Sequence, residues 1–171
     1  MDRCSYASPI GELILAAEDG FVKGVWFTDQ KHFPDDLGNE SDDAETLEAL
    51  KGWLDRYFKG EKPSPQELRL APEGSEFSKR VWGLLLEIPY GSTVTYGELA
   101  KRLEAESGRK AFARAVGGAV GRNPVSIVIP CHRVIGSGGA LTGYAAGVER
   151  KEWLLRAEGA FGRENSEKNF K

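Results

Sequence analysis

The segment SIVIPCHRVIGSGG, residues 126–139, carries an apolar run and a proline, and then Cys131, His132 and Arg133 before a glycine-rich loop. The chain of 171 residues contains two cysteines and two histidines, and one of each is adjacent here. A free thiol has a pKa near ~8.5, so a nucleophilic cysteine needs a base or a positive environment at neutral pH. On a continuous strand the Cys131 and His132 side chains would point to opposite faces. The sequence therefore predicts a turn after Pro130 if His132 serves Cys131, and a buried structural cysteine beside a hydrogen-bonded histidine is the alternative.

The composition indicates how large a core the chain can form and which cellular compartment suits it. With 40% apolar residues, the chain can form one large core or two small ones. Cys4 and Cys131 are too few for a disulfide framework, which favours a reducing compartment. The N-terminus lacks the basic and apolar regions of a signal peptide, and no run approaches the ~18 apolar residues of a membrane helix. We therefore expect a soluble, cytoplasmic monomer with no membrane partner.

Metal binding is not expected from the same residues. Cys4 and His32 are far in sequence from the adjacent Cys131 and His132, and no C-x-x-C or H-x-x-x-H spacing occurs. We expect neither a metal nor a cofactor.

The N-terminal part of the chain predicts a hairpin followed by a helix. Strand-forming residues at 12–17 and 21–27 flank the turn sequence Glu-Asp-Gly. Six acids and no base between residues 35 and 45 predict a solvated loop. Apolar residues at helical spacing then predict a helix over 45–59.

Breaks in these patterns divide the chain. The proline- and glycine-containing stretch between about 62 and 75 predicts a domain boundary. We expect an N-terminal domain over 1–72, a C-terminal domain over 73–160 and a polar tail over 161–171.

The C-terminal domain predicts mostly helices. Helices are expected over 76–87 and 148–158, with a short buried strand over 125–129. Ser75 is a candidate cap for the first helix. The expected buried side of that helix consists of Phe77, Val81, Trp82, Leu84 and Leu85.

Two further helices are joined by a short break, as in a helix-turn-helix. Thr95 and Glu98 predict a capping box at the head of helix 95–105, and a second helix is expected over 109–121. Six basic and two acidic side chains lie between Lys101 and Arg122, in a chain whose net charge is −3. This contrast is typical of an element that faces DNA, although basic helix pairs also occur without that role.

The second of these helices is rich in glycine. Gly117, Gly118 and Gly121 each cost about 1 kcal/mol relative to alanine inside a helix. Such a surface allows either close packing against another helix or close approach to a nucleic-acid backbone.

Three stretches together carry a family resemblance. IPCHRVIG is preceded by RAVGGAVGRNPVSIV and followed by TGYAAGVERKEWLLRAEG, and VWGLLLEIPYGSTVTYGELA belongs to the same pattern. Over about 77–159 the chain resembles the O6-alkylguanine-DNA alkyltransferase, or methylated-DNA–protein-cysteine methyltransferase, family. The resemblance implies an α/β N-terminal ribonuclease-H-like domain with a β-hairpin and helix. It also implies a mainly α, winged-helix-like C-terminal domain that contains the helix-turn-helix.

The resemblance also implies an activity. A member of this family takes an alkyl group from O6-alkylguanine, and in some cases O4-alkylthymine, in double-stranded DNA, after flipping the damaged nucleotide. The transfer to Cys131 would be irreversible and would occur once per molecule. His132 would act as base through a water, and Glu158 would orient His132, as in a triad.

Other positions match the family's functional residues. Tyr96 would donate a proton or hydrogen bond to guanine N3, and Asn123 would join the helix-turn-helix to the active-site strand. Arg114 would fill the stack that the flipped base leaves. The groove-facing small residues would be Ala115, Gly117, Gly118 and Ala119. The pocket would be lined by Val134, Tyr144, Ala145 and Lys151, and Lys151 would also favour the thiolate.

Two departures from the family pattern concern the pocket. Ala146 stands where many members have glycine, and Ser126 stands where some have a second proline. Both substitutions predict a change in the shape of the pocket.

Three other functions compete with alkyl transfer. A sensor would bind alkyl lesions without removing them, but retention of Cys131, His132 and Glu158 disfavours it. A transcriptional regulator would need a dimerisation element or effector domain, and the sequence contains no zipper. A cysteine hydrolase of small esters would leave the basic Ala/Gly helix without a purpose.

Overall fold

The computed structural model describes residues 1–40 and 45–160, and the chain forms two compact units. The first unit comprises Met1–Glu73 together with Pro124–Val128. The second comprises Gly74–Asn123 and the chain from Ile129 onward. The sequence predicts residues 124–128 as part of the C-terminal domain, whereas in the structure they belong to the first unit. The predicted polar tail, 161–171, and residues 41–44 of the predicted acidic loop lie outside the described residues.

The first unit is built on a four-stranded sheet in the order β3-β2-β1-β4. Strands β1 and β2 pair antiparallel, as do β2 and β3, whereas β4 pairs parallel to β1. The strands are β1 (Asp2–Ser8), β2 (Gly11–Glu18), β3 (Phe21–Phe27) and β4 (Asn39–Glu40). The predicted hairpin is confirmed as β2 and β3. Its turn residues Asp19 and Gly20 have φ of 52° and 83°, as a two-residue hairpin turn with two left-handed positions requires.

Strand β1 was not predicted, because its sequence carries little apolar signal. Cys4 is the one buried residue among its seven. This strand is stabilised by pairing with β2 along its whole length and not by burial of its side chains.

One helix of the first unit, α1 (Glu45–Phe58), confirms the helix predicted over 45–59. Its buried residues are Leu47, Leu50, Trp53, Leu54 and Tyr57. The Trp53 indole N–H donates to the Ser64 carbonyl at 2.9 Å, which ties the chain after the helix to this face.

The strand predicted over 125–129 is wrong. Val125 forms only an isolated parallel bridge with Val25, and the Val25 N–H donates to the Pro124 carbonyl at 2.8 Å. The Ser126 N–H donates back to Val25 at 3.0 Å, but Ile127 has a φ of 73°. A β-branched residue in the left-handed region interrupts an extended strand. The apolar run reflects burial in a tight turn, which periodicity alone does not distinguish from a strand.

Up to residue 160, where the described part of the chain ends, the second unit contains four α-helices and a two-stranded parallel sheet. They are α2 (Glu76–Leu85), β5 (Val94–Thr95), α3 (Tyr96–Ser107), α4 (Ala113–Gly121), β6 (Val134–Ile135) and α5 (Val148–Ala157). Helices α2, α3 and α4 pack against one another. The buried Trp82 indole N–H donates to the Ala119 carbonyl at 2.9 Å and joins α2 to α4.

Helix α2 is capped by Ser75 as predicted, and its buried residues are Val81, Trp82, Leu84 and Leu85. The inclusion of Phe77 in that buried side is wrong, because its side chain is 38% exposed. Phe77 lies in the first turn of the helix, ahead of the residues that face the core.

The helix-turn-helix is present, with a shorter second helix than predicted. The Thr95 hydroxyl accepts the Glu98 N–H at 3.0 Å and caps α3, which ends at Gly108 with a φ of 70°. Helix α4 begins at Ala113, not at Arg109. The connection is held away from helical geometry because the Ala111 N–H donates to the Glu104 carboxylate at 2.9 Å.

Within residues 1–40 and 45–160, no helix is long and apolar enough to cross a membrane. Over the same residues, no three His, Cys, Asp or Glu side chains are grouped as a metal site would require.

Candidate active site

The backbone turns sharply at Pro130, as the sequence predicted. Pro130 has φ −82° and ψ 65°, and the Cys131 N–H donates to the Ile129 carbonyl at 2.8 Å. This is an inverse γ-turn. A 3-10 turn, Cys131–Arg133, follows directly. The Cys131 and His132 side chains therefore do not alternate across a strand.

Asn123 fixes the chain immediately before the cysteine. Its buried side-chain N–H donates to the Ile129 carbonyl at 2.8 Å, and it also hydrogen-bonds the Cys131 thiol. Since Asn123 follows the end of α4, one side chain connects the helix-turn-helix to the turn that carries the thiol.

The Cys131 side chain is 5% exposed, and burial raises the pKa of its thiol. The hydrogen bond from Asn123 and the positive charge of Lys151 act in the opposite direction but do not outweigh burial. The resting side chain is therefore a thiol, and a nucleophilic thiolate requires a base to remove the proton.

The structure brings His132 and Glu158 together. The His132 Nε2 atom lies 2.7 Å from Glu158 Oε2, and both side chains are fully buried. Burial lowers the pKa of His132, although Glu158 opposes that shift. A neutral ring that donates Nε2–H to Glu158 leaves the Nδ1 lone pair free to accept a proton. Nδ1 makes no hydrogen bond to any residue that the structure describes.

Arg133 completes a buried charge cluster that the sequence analysis did not include. Its Nε donates to Glu158 Oε1 at 2.7 Å, and its Nη2 donates to Glu158 Oε2 at 3.1 Å. Its third contact is a 2.8 Å hydrogen bond from Nη1 to the Ile88 carbonyl. The guanidinium also lies 5.7 Å from the centre of the Tyr90 ring. The sequence carried a signal for this cluster, because Arg133 stands in a stretch of mostly apolar residues. A charged side chain that is buried there requires a partner of opposite charge.

The Arg133 and His132 contacts decide the ionisation of Glu158. Burial alone would raise the pKa of this carboxyl, but the charges and hydrogen bonds of His132 and Arg133 hold it well below its usual range. A bidentate arginine contact also fixes the plane of the carboxylate. Glu158 is therefore an oriented anion that can stabilise a protonated His132.

Tyr96 and Lys151 meet at one backbone carbonyl. The Lys151 ammonium donates to the Thr142 carbonyl at 2.8 Å, and the Tyr96 hydroxyl donates to the same oxygen at 3.1 Å. Burial lowers the pKa of Lys151 to about 8, although the Cys131 side chain opposes the shift. Burial, with a smaller effect of Cys131, raises the pKa of Tyr96 to about 12. A cation and a neutral hydroxyl donor are thus both coupled electrostatically to the thiol.

The remaining predicted pocket residues lie in the second unit. Val134 is buried in β6, Tyr144 is buried, and Ala145 is half-buried. Ala146 is also half-buried, whereas Ser126 belongs to the first unit.

The predicted DNA-facing residues divide between surface and core. Arg114 and Ala115 are exposed in the first turn of α4, and Gly117 and Gly118 are partly exposed on the same helix. The prediction for Ala119 is wrong, because it is buried and its carbonyl accepts the Trp82 indole N–H. The small side chain of Ala119 therefore serves helix packing.

Comparisons with known proteins agree with this geometry. The DNA-binding domain of 6-O-methylguanine DNA methyltransferase matches residues 76–160, and the ribonuclease-like domain of the same family matches residues 3–72. A methylated-DNA–protein-cysteine methyltransferase of Methanosarcina acetivorans is 45% identical over 155 residues, which are 91% of this chain and 96% of the relative. The Haemophilus influenzae protein of the same name is 38% identical, covering 90% of this chain and 83% of the relative.

A solved structure extends the similarity to the fold. Mycobacterium tuberculosis OGT in complex with DNA has a TM-score of 0.81 and 38% identity, covering 94% of each chain. The two domain matches and the named relatives define the class as methylated-DNA–protein-cysteine methyltransferases. This chain belongs to the 6-O-methylguanine DNA methyltransferase family. The resemblance stated from the sequence and the expected fold class are both confirmed.

Proposed function

We propose that this protein repairs double-stranded DNA by transferring an alkyl group from O6-alkylguanine to its own Cys131, irreversibly and once per molecule. The observation that carries the proposal is the buried Cys131 thiol on its turn, next to the hydrogen-bonded His132–Glu158 pair, in a chain of this family. No cofactor is needed, because the thiol itself is consumed.

The first step removes the thiol proton. Cys131 gives it through one bridging water to His132 Nδ1, and Glu158 stabilises the imidazolium that results. Lys151 stabilises the thiolate electrostatically. The base is required because burial raises the pKa of the thiol.

The second step exchanges a carbon–oxygen bond for a carbon–sulfur bond. The Cys131 thiolate attacks the alkyl carbon, a thioether forms, and the electron pair of the broken bond stays on guanine O6. Backbone donors near Val134 and Ala145 hold that oxygen, and Tyr144 lines the pocket. Tyr96 faces guanine N3, and its pKa, raised to about 12, keeps the hydroxyl protonated. When this hydroxyl exchanges the Thr142 carbonyl for guanine N3, it stabilises the leaving base as a hydrogen-bond donor.

We assign DNA recognition to helix α4 and to the segment that leads into it. Ala115, Gly117 and Gly118 let the helix lie against the minor groove, and Arg114 fills the space left by the flipped nucleotide. Exposure of Arg114 and the basic balance of 101–122 support this assignment.

Intact-protein mass spectrometry tests the transfer directly. Incubation with a duplex carrying O6-methylguanine is expected to add ~14 Da once per molecule, with the thioether mapped to Cys131. Cys131→Ala is the matched negative variant and retains Cys4 as an internal control thiol. No mass gain in the unsubstituted protein, with tight binding to the same duplex, would favour a non-catalytic lesion sensor. If the protein shows no mass gain and also does not bind the duplex, the result would contradict the family's function in this chain.

A second experiment tests the role of Arg114. Arg114→Ala is expected to slow the reaction with duplex DNA more than the reaction with free O6-alkylguanine, because only the duplex requires base flipping. Equal losses on both substrates would contradict the flipping role.

Three assignments remain part of the proposal. The functional domains are 1–72 and 73–160, and limited proteolysis would test this division. The protein acts on its DNA partner as a monomer, and sedimentation would test this state. Its site of action is the cytoplasm, and cell fractionation would test this location.

A further inference from the structure

Phe112 stands out among the surface residues of the second unit. Its side chain is 64% exposed, compared with 38% for Phe77, 48% for Val148 and 37% for Trp153, the other exposed large apolar residues within 1–40 and 45–160. It occupies the N-cap position of α4, where Ser, Thr, Asp and Asn are preferred and where phenylalanine has no side-chain acceptor to offer. A single exposed apolar residue is ordinary in itself, so the argument depends on where Phe112 lies.

The backbone on both sides of Phe112 is held in place. The Ala111 N–H donates to the Glu104 carboxylate at 2.9 Å, and the Phe112 carbonyl accepts the Val116 N–H at 3.0 Å. The Lys110 ammonium lies 5.9 Å from the centre of the ring. The aromatic ring is thus presented to solvent from a hydrogen-bonded backbone, which reduces the entropy lost when a partner binds it.

The exposed charged side chains near Phe112 in sequence are mostly basic, and one of them, Lys110, also pairs with the Glu104 carboxylate at 3.8 Å. Arg109, Lys110 and Arg114 are all exposed within five positions of one another and of Phe112. The segment 112–115 is exposed throughout, so the start of α4 is a surface of small, basic and aromatic side chains. A duplex offers the matching chemistry, because its phosphates complement the basic residues and the carbon atoms of its sugars offer apolar contact surface in the groove.

We propose that Phe112 is a DNA-positioning residue, whose ring packs in the minor groove against the sugar and base edges beside the nucleotide that is flipped. The inference rests on the proposed function and adds a contact to it. Phe112 is the N-cap, with extended backbone angles (φ −94°, ψ 136°), so its side chain leaves the chain ahead of the first helical turn that carries Arg114. The proposal places the two side chains at different base steps. Apolar side chains that wedge against base steps are a recurring device of minor-groove proteins.

The test compares Phe112→Ala with Phe77→Ala, which removes an exposed phenylalanine from another helix of the same unit. Equilibrium binding to an undamaged duplex is measured first, because it does not depend on alkyl transfer. Alkylation rates with duplex O6-methylguanine and with the free base are measured next. Phe112→Ala is expected to weaken duplex binding at least about fivefold, the lower end of what one aromatic–base contact contributes. Phe112→Trp is expected to restore binding, and Phe77→Ala to leave it unchanged.

The free-base reaction separates positioning from a structural effect. Phe112→Ala is expected to keep the unsubstituted rate on free O6-methylguanine while it loses rate on the duplex. Unchanged duplex binding, or equal losses on free base and duplex, would overturn the proposal. A fall in self-association on sedimentation, with duplex binding intact, would overturn it in favour of a contact with a second copy. Failure of all alkyl transfer would contradict the proposed function, whereas the binding comparison would still decide the role of Phe112.

Discussion

Replacing Arg133 with methionine tests whether the buried charge cluster supports the fold as well as the chemistry. Methionine keeps much of the apolar volume of the arginine stem but removes three hydrogen bonds. Two of them go to Glu158, at 2.7 and 3.1 Å, and one goes to the Ile88 carbonyl at 2.8 Å. The substitution leaves Glu158 as a buried anion whose remaining partner in the cluster is His132.

The size of the effect follows from this burial. Removing one member of a buried ion pair costs about 3–5 kcal/mol, because the other charge stays desolvated. Glu158 is 5% exposed and Arg133 is 7% exposed, so solvent screening offers little relief. With a urea dependence of about 2 kcal/mol/M, the unfolding midpoint of Arg133→Met is expected to fall by about 2 M.

Urea denaturation followed by tryptophan fluorescence measures this change, with Arg156→Met as the matched control. Arg156 pairs with Glu152 at 3.2 Å on α5, but both side chains are exposed, at 59% and 41%. Exposed pairs contribute about 0–1 kcal/mol, so the control is expected to lose little. Arg133→Lys keeps the charge without the bidentate geometry, so its unfolding midpoint is expected to lie between those of Arg133→Met and Arg156→Met. It also provides a folded variant if Arg133→Met does not fold.

Loss of Arg133 is also expected to change the pH dependence of the alkylation rate in a defined direction. Arg133 lowers the pKa of His132, so its removal is expected to move the acidic limb of the alkylation rate profile to higher pH. Equal stability losses in Arg133→Met and Arg156→Met, or an unmoved pH profile, would refute the assigned role of the cluster.

Two further predictions concern the loop that contains Gly143 and the pH dependence of the unfolding free energy. Gly143→Ala is expected to slow alkylation and to destabilise the protein by at least about 1 kcal/mol, because its φ is 74° and the new Cβ would lie 2.9 Å from the Tyr96 hydroxyl oxygen. Gly138→Ala has the same φ with open space around it, so a rate loss as large in that variant would contradict the contact with Tyr96. Unfolding free energy is expected to fall on acidification, since the pKa values of His132 and Glu158 are both lowered in the folded state. The His132 contribution is lost as pH falls below ~6.5 and the Glu158 contribution as it falls below ~4.3. An unfolding free energy that is flat from about pH 7 to 5 would contradict the His132 assignment, and one that is flat below about pH 4 would contradict the Glu158 assignment.

Elements with strong local signals were predictable from the sequence. Helix α1 has apolar residues at helical spacing, the β2–β3 hairpin has an Asp-Gly turn, and Thr95 is a good N-cap. Each of these signals acts between residues close in sequence, so no knowledge of the packing was needed.

Elements that depend on distant partners were missed or misplaced. Strand β1 buries only one of its seven residues and exists because β2 pairs with it. The run 125–129 has the composition of a strand, but Ile127 adopts a left-handed φ and only Val125 finds a bridge partner. Helix α4 starts late because Glu104, on α3, holds the Ala111 N–H. In each case a contact made elsewhere in the fold outweighed local propensity.

The sequence by itself determined which groups are available for chemistry. The PCHR run supplied the proposed nucleophile, the proposed base and, at Pro130, the turn that precedes them, since proline restricts the backbone locally. Only the tertiary structure decided how those groups are ionised. Glu158 lies 26 residues from His132, and their 2.7 Å contact depends on packing the end of α5 against the Cys131–Arg133 turn. Burial and charge neighbours set the pKa of each group, and both are properties of the folded chain that residue order does not express.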